Sequence, residues 1–145
     1  MRIHEVLASK PSHDVVTVKP DATVRELVGM LAEHNIGALV VSADGSSVDG
    51  IVSERDVVRR LHSDDAVLDS PVSAIMSAEV ETCEGHDTVN DLMQVMTERR
   101  FRHVPVVAEG RLTGIVSIGD VVKSRMSELQ FERDQLDSYV QSAQT

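Results

Sequence analysis

Short apolar runs and helical stripes alternate along this chain, and the series occurs twice. Ile3–Ala8 carries the apolar positions of a turn of helix, and a brief extended run follows at Val15–Val18. Val24, Leu27, Val28 and Leu31 then recur at the spacing of a helix face. Thr23, with Glu26 three residues on, is a capping-box start for that helix. Gly37–Ser42 is a short apolar run, which predicts a buried strand. Asp44-Gly45 signals a turn, and the chain returns through Gly50–Ser53 as the second strand of a hairpin. A second helix is predicted to start at Ser53.

The same series resumes at Val72. Val72–Ser77 is a second leading segment and Val80–Cys83 a second extended run. Thr88 and Asp91 repeat the capping-box spacing, and Val89, Leu92, Met93 and Met96 repeat the apolar face. Arg102–Ala108 predicts a strand, Glu109-Gly110 a turn, and Ser117 the start of another helix. The match is tightest where the last strand of each series meets its helix. Gly50–Val58 reads G-I-V-S-E-R-D-V-V and Gly114–Val122 reads G-I-V-S-I-G-D-V-V, identical at seven of nine positions. Ile3–Leu7 also aligns with Val72–Met76, provided that the first series carries a few extra residues around Ser9–Asp14.

A repeat of roughly 60 residues buries little core alone, so the two are expected to pack together. The predicted architecture is α/β (α+β): two β-α-β-β-α repeats, residues 1–65 and 66–126, related by a pseudo-twofold axis, with a helical tail at 127–145. In the tail, Met126, Leu129, Arg133, Leu136, Val140 and Ala143 form a short heptad-like stripe interrupted by one Arg. It suits packing on its own domain or on a second subunit.

Composition narrows the function. Of 145 residues 41% are hydrophobic but only 2% aromatic, so the core is aliphatic and offers no platform for stacking bases. Acidic residues outnumber basic ones, 24 to 14, for a net charge of −10. Such a chain is repelled by nucleic acid and by anionic membranes, and neither is an expected partner. A single cysteine, Cys83, points to a reducing compartment, and no stretch approaches transmembrane length; a soluble cytoplasmic protein is expected. Cys83 is expected to be a small buried residue.

His4, His13, His34, His62, His86 and His103 show no zinc-type spacing, so no metal site is expected. There is no Walker-type loop, no G-x-S-x-G and no nucleophile–base pair, so no catalytic residue is assigned and the chain is not expected to be an enzyme. The candidate chemistry lies at the two strand-to-helix junctions. Ser53 with Asp56, and Ser117 with Asp120, are helix caps by their spacing. A strand feeding a helix N-terminus also aims backbone N–H groups and a positive dipole end into a crevice, where the Asp can accept from a sugar diol.

These doubled features resemble the CBS domain, the regulatory module named after cystathionine β-synthase, which occurs as tandem pairs. The matching residues are the two G-I-V-S-x-x-D-V-V copies, the Ala38–Val41 and His103–Val107 strands and the T-V-x-x-L helix starts, and the resemblance runs from about Ile3 to Met126. It implies a disc-like module whose cleft offers two sites for an adenine-containing ligand such as AMP, ADP, ATP or S-adenosylmethionine. It implies ribose contacts at Asp56 and Asp120 with Ser53 and Ser117 beside them, and adenine-lining roles for Val15 and Val80. Basic residues before the Pro-Val-Val strand often hold phosphate in this family. Here they are Arg102 and His103, with Arg99 and Arg100 behind them, whereas His34–Ala38 in the first repeat lacks that charge. A solvated helix end is the other role open to this cluster. The Asp120 half, which carries the cluster, is where a phosphorylated ligand is first expected. The resemblance further implies a homodimer and an effector protein on another chain. The alternative is a structural homodimerisation module with no physiological ligand.

Overall fold

The computed structural model of the chain describes residues 1–11 and 14–144. His13, part of the insertion around Ser9–Asp14, and Thr145 of the tail lie outside the described residues. The elements follow in the order α1 (Ile3–Ser9), β1 (Thr17–Val18), α2 (Val24–His34), β2 (Ala38–Val41), β3 (Gly50–Ser53), α3 (Glu54–Ser63), β4 (Cys83–Glu84), α4 (Val89–Arg99), β5 (His103–Ala108), β6 (Arg111–Ser117) and α5 (Ile118–Gln144). They build two three-stranded sheets, β1-β2-β3 and β4-β5-β6. In each the first pair is parallel and the second is the predicted antiparallel hairpin. Ala38 stands opposite Ser53, and His103 opposite Ser117, so equivalent residues open both hairpins.

The helix starts follow their sequence signals. Thr23 accepts from the Glu26 N–H at 3.1 Å while Glu26 reaches back to the Thr23 N–H, and Thr88 accepts from the Asp91 N–H at 3.1 Å. The ends are local too: Asn35 and Arg100 take up left-handed conformations that turn the chain out of α2 and α4. The extended runs are shorter than predicted. Only Thr17–Val18 and Cys83–Glu84 join the ladders, leaving Val15, Val16 and Val80–Thr82 outside. The second leading segment is a 3₁₀ turn, Val72–Ala74, and not a turn of α-helix.

Two aliphatic cores form, and each borrows from the other repeat. The first joins Val24, Leu27 and Leu31 of α2 to Leu39, Val41 and Val52 of its sheet, and is completed by Val72 and Ile75. The second joins Leu92 and Met96 of α4 to Val104, Val106 and Val116, and is completed by Ile3 and Val6 of α1. Backbone bonds lock the exchange. Ile3 N–H donates to Asp87 O and Val89 N–H to Met1 O, while Val24 N–H donates to Ser70 O and Val72 N–H to Ala22 O, all at 2.8–3.0 Å. Ile3 and Val72 are fully buried, each contributing about 1.5–3 kcal/mol of hydrophobic stabilisation to the half it joins.

The exchanged segments pass close over two glycines. A Cβ on Gly50 would come within 2.7 Å of Met76 Sδ and 2.9 Å of the Ser77 carbonyl oxygen; one on Gly114 would meet Leu7 Cδ2 at 2.8 Å. The shared Gly of the two motif copies is therefore a packing requirement. The tail is not a separate element, because α5 runs unbroken through Met126 for 27 residues, about 40 Å. From Leu129 to Ala143 every residue is exposed. Among the described residues, no helix is long and apolar enough to cross a membrane.

Candidate functional site

Ser53 ends β3 in extended conformation and caps α3. Its N–H and hydroxyl both donate to Asp56 Oδ2, at 2.8 and 3.0 Å, and the Asp56 N–H donates back to Ser53 Oγ at 3.3 Å. One carboxylate oxygen thus serves the cap, and Oδ1 remains for an outside donor. Ser117 and Asp120 build the same box at the start of α5, with bonds of 2.9 and 3.1 Å. Both acids are half-buried.

Beyond this shared frame the junctions differ. Beside Asp56 lies an open cleft of about 330 Å³. One wall is the start of α3, with Ser53, Glu54, Arg55, Asp56 and Arg59; the other is the chain entering β5, from Arg100 to His103. Arg55, Arg59, Arg100 and Arg102 all line it, and none forms an ion pair with an acid among the described residues. Only Glu54 and Asp56 oppose them in the lining. In an acidic protein this is a local excess of positive charge. Arg99 is not in this lining, and its guanidinium is held by Glu81 at 2.9 Å.

At the second junction Lys10, just after α1, has its ammonium 3.1 Å from Asp120 Oδ2 and donates to the Ile115 carbonyl at 2.9 Å. Burial pushes the Asp120 carboxyl up, but the Ser117 N–H and the Lys10 ammonium outweigh it and hold the pKa below the ordinary carboxylate value. The recess beside this pair, lined by Leu7, Val15, Gly114 and Ile115 among others, is only about 50 Å³.

Arg102 and His103 are the residues expected at the Asp120 half. The backbone of Arg102 does stay there, its carbonyl accepting from the Ile118 N–H at 2.8 Å. Its side chain, however, lines the cleft of the opposite junction, because β2 and β5 start side by side at the seam between the repeats. His103 lies on that seam, facing Gly37 and flanked by both Asp120 and Glu54. Burial lowers its pKa below the ordinary value; Asp120 and Glu54 oppose this, while Arg102 and Lys10 add to it. Val15 lies against β6 of the opposite repeat, whereas Val80 is half-buried and lines neither space; Ser77 stands in the corresponding position by Ile51. Arg59 was not anticipated, although its four-residue spacing from Arg55 puts both on one helix face. Cys83 is buried, and burial followed by the nearby Asp87 pushes its thiol up to about 12.

Paired sheets, exchanged leading segments and twin Ser/Asp caps define a class: two half-domains that face each other across a seam. The family model for the CBS domain matches residues 3–63 and 72–127, and the chain belongs to that family. A CBS-domain containing protein from Agrobacterium tumefaciens, ATU1752, is 47% identical, with 86% of this chain and 99% of that one covered at a TM-score of 0.81. The CBS domain protein PAE2072 from Pyrobaculum aerophilum, solved in complex with AMP, is 31% identical over 83% of this chain and 89% of that one, with a TM-score of 0.73. The CBS domain-containing protein YhcV of Bacillus subtilis is 32% identical over 113 residues, 78% of this chain and 80% of its own length. In two further curated relatives the match spans 66% and 61% of their length, so these extend beyond it.

Proposed function

We propose that this protein is a non-catalytic sensor that binds a phosphorylated adenine nucleotide, AMP, ADP or ATP, in the cleft beside Asp56 and signals occupancy to a partner protein. The observation that carries this reading is the joining of four arginines, without an ion pair among the described residues, to a Ser/Asp cap in one cleft. Asp56 Oδ1 is suited to a ribose diol and the arginines to phosphate oxygens, through charge-assisted bonds. The AMP complex of PAE2072 supports the ligand class. S-adenosylmethionine, with its sulfonium cation, suits this basic lining poorly. Because the cleft is walled by both repeats, a ligand that contacts both biases their relative orientation, which is what a signal requires.

The test is a thermal-shift and calorimetric screen of AMP, ADP, ATP, S-adenosylmethionine and NAD. A phosphorylated nucleotide should raise the unfolding temperature, by about 2.7 kcal/mol of stability at a hundredfold excess over Kd. If no adenine compound shifts the protein, the reading falls. A reducing, cytoplasmic setting goes with it.

A second reading, the ligand-free homodimerisation module, is favoured by one observation. Val58 and Leu61 on α3, and Ile118 and Val122 on α5, are exposed apolar residues, with Val58 and Val122 at equivalent places in the two repeats. Dimerisation through these helices is compatible with nucleotide binding, and we include a homodimer in the proposal.

A further inference from the structure

The two junctions are built alike, yet the spaces beside them are about 330 and 50 Å³, and one side chain, Lys10, engages only the second. In the first, the carbonyl of Ile51 accepts from the backbone N–H of Ser77 at 2.9 Å, and among the described residues only Ser53 hydrogen-bonds the Asp56 carboxylate. In the second, the equivalent carbonyl, of Ile115, accepts instead from Lys10, whose ammonium also holds Asp120. Aligning Ile3–Leu7 with Val72–Met76 sets Lys10 against Glu79, an exposed acid that can offer no ammonium to Asp56 or Ile51. The Lys10 side chain is about three-quarters buried, at 28% exposure, and Asp120 at 24%. Its ammonium is engaged twice, by the Ile115 carbonyl and by the carboxylate expected to hold a ribose. Its backbone is fixed by α1, whose Ile3 and Val6 sit in the second core and whose Leu7 packs on Gly114.

We propose that Lys10 is a built-in occupant of the second cleft, closing Asp120 to ligand so that each chain binds one nucleotide, beside Asp56. The inference rests on the reading of the Asp56 cleft as a nucleotide site. It adds a stoichiometry and names the residue that sets it. The family motif is complete at Asp120, so a motif count alone gives two sites.

The test is isothermal titration of the full chain with ATP. The wild type should take up one ATP per chain, and Asp56→Ala should remove it. Lys10→Met keeps the packed stem and deletes the charge, and should bind two. Lys10→Met combined with Asp56→Ala should bind one, now at Asp120. Lys10→Arg should stay at one, which separates the charge from any disturbance of α1. Two ATP on the wild type, or one on Lys10→Met, overturns the inference and leaves the Asp56 site standing. Loss of binding in Lys10→Met would make Lys10 a ligand contact and also overturn it. No uptake by either protein overturns both the inference and the function on which it rests.

Discussion

Gly37 and His103 meet at the seam between the repeats: a Cβ on Gly37 would lie 3.7 Å from the imidazole Cε1. The entrances to β2 and β5 are therefore neighbours, and the residues before β5 reach the junction of the other repeat. Burial holds the His103 pKa below its ordinary value, yet the residue lines the cleft where we place phosphate. A bound phosphate dianion should draw a proton onto it. ATP affinity should therefore rise as pH falls from 7.5 toward 6.5, with proton uptake in calorimetry. His103→Gln should remove the part of the pH dependence that does not belong to the nucleotide's own phosphate. A wild type and variant with the same profile would separate His103 from the ligand.

Without ligand, the same imidazole predicts acid sensitivity. Its folded pKa lies below the ordinary 6.5, so the unfolded chain takes up the proton first. Stability should be lost as pH falls from about 6.5 toward the lowered value and then level off. Asp120 acts in a lower window. Its folded pKa lies below 3.8, so its contribution is present above that value and is lost as pH falls through the folded one. Urea melts between pH 7.5 and 5 on wild type and His103→Gln isolate the first effect, which the variant should lack.

The arginines can be tested one at a time. Arg102→Gln and Arg59→Gln should each weaken ATP binding about tenfold to a hundredfold, the value of a charge-assisted hydrogen bond of about 1.5–3 kcal/mol. Both side chains are exposed, so unfolding temperatures should stay close to wild type. Arg99→Gln, which removes only the Glu81 pair, should bind ATP as the wild type does.

The exchange of leading segments predicts where core mutations act. Ile3→Ala should cost about 2–5 kcal/mol, because a fully buried side chain leaves a cavity in the second core. Native-state hydrogen exchange should show the loss of protection in α4 and β5, not in α2 and β2. Gly50→Ala should destabilise by about 1–3 kcal/mol, since the new methyl meets the Ser77 carbonyl. Gly114→Ala should cost less, because the Leu7 side chain it meets can turn aside.

The projecting end of α5 contributes little to its own domain. Truncation after Gln130 should leave urea stability within about 0.5 kcal/mol of wild type, since the removed described side chains are all exposed. Phe131, Leu136 and Tyr139 are more than 60% exposed, however, and a helix of this length is marginal alone. If a second subunit covers them, the truncated chain loses mass in sedimentation. An unchanged mass leaves α5 as a lone projection.

Local order was legible in the sequence because burial on a helix or strand imposes a spacing on neighbouring residues. The Thr23 and Thr88 caps, the hairpins and both Ser/Asp junctions followed from such spacings, and the doubled motif led to the family. The lengths of β1 and β4 were not legible: Val15–Val16 and Val80–Thr82 extend the strand runs in sequence but lie outside the ladders. What only the tertiary structure decided is which repeat each segment serves. Ile3 and Val72 are apolar in a pattern that suits either core, and nothing local records that each crosses to the other half. The same holds at the site. Arg102 belongs to the same repeat as one junction and lines the cleft of the other, and Lys10 reaches Asp120 across 110 positions of chain. Spacing encodes the face a residue presents; the surface that meets it is set by how the two halves pack.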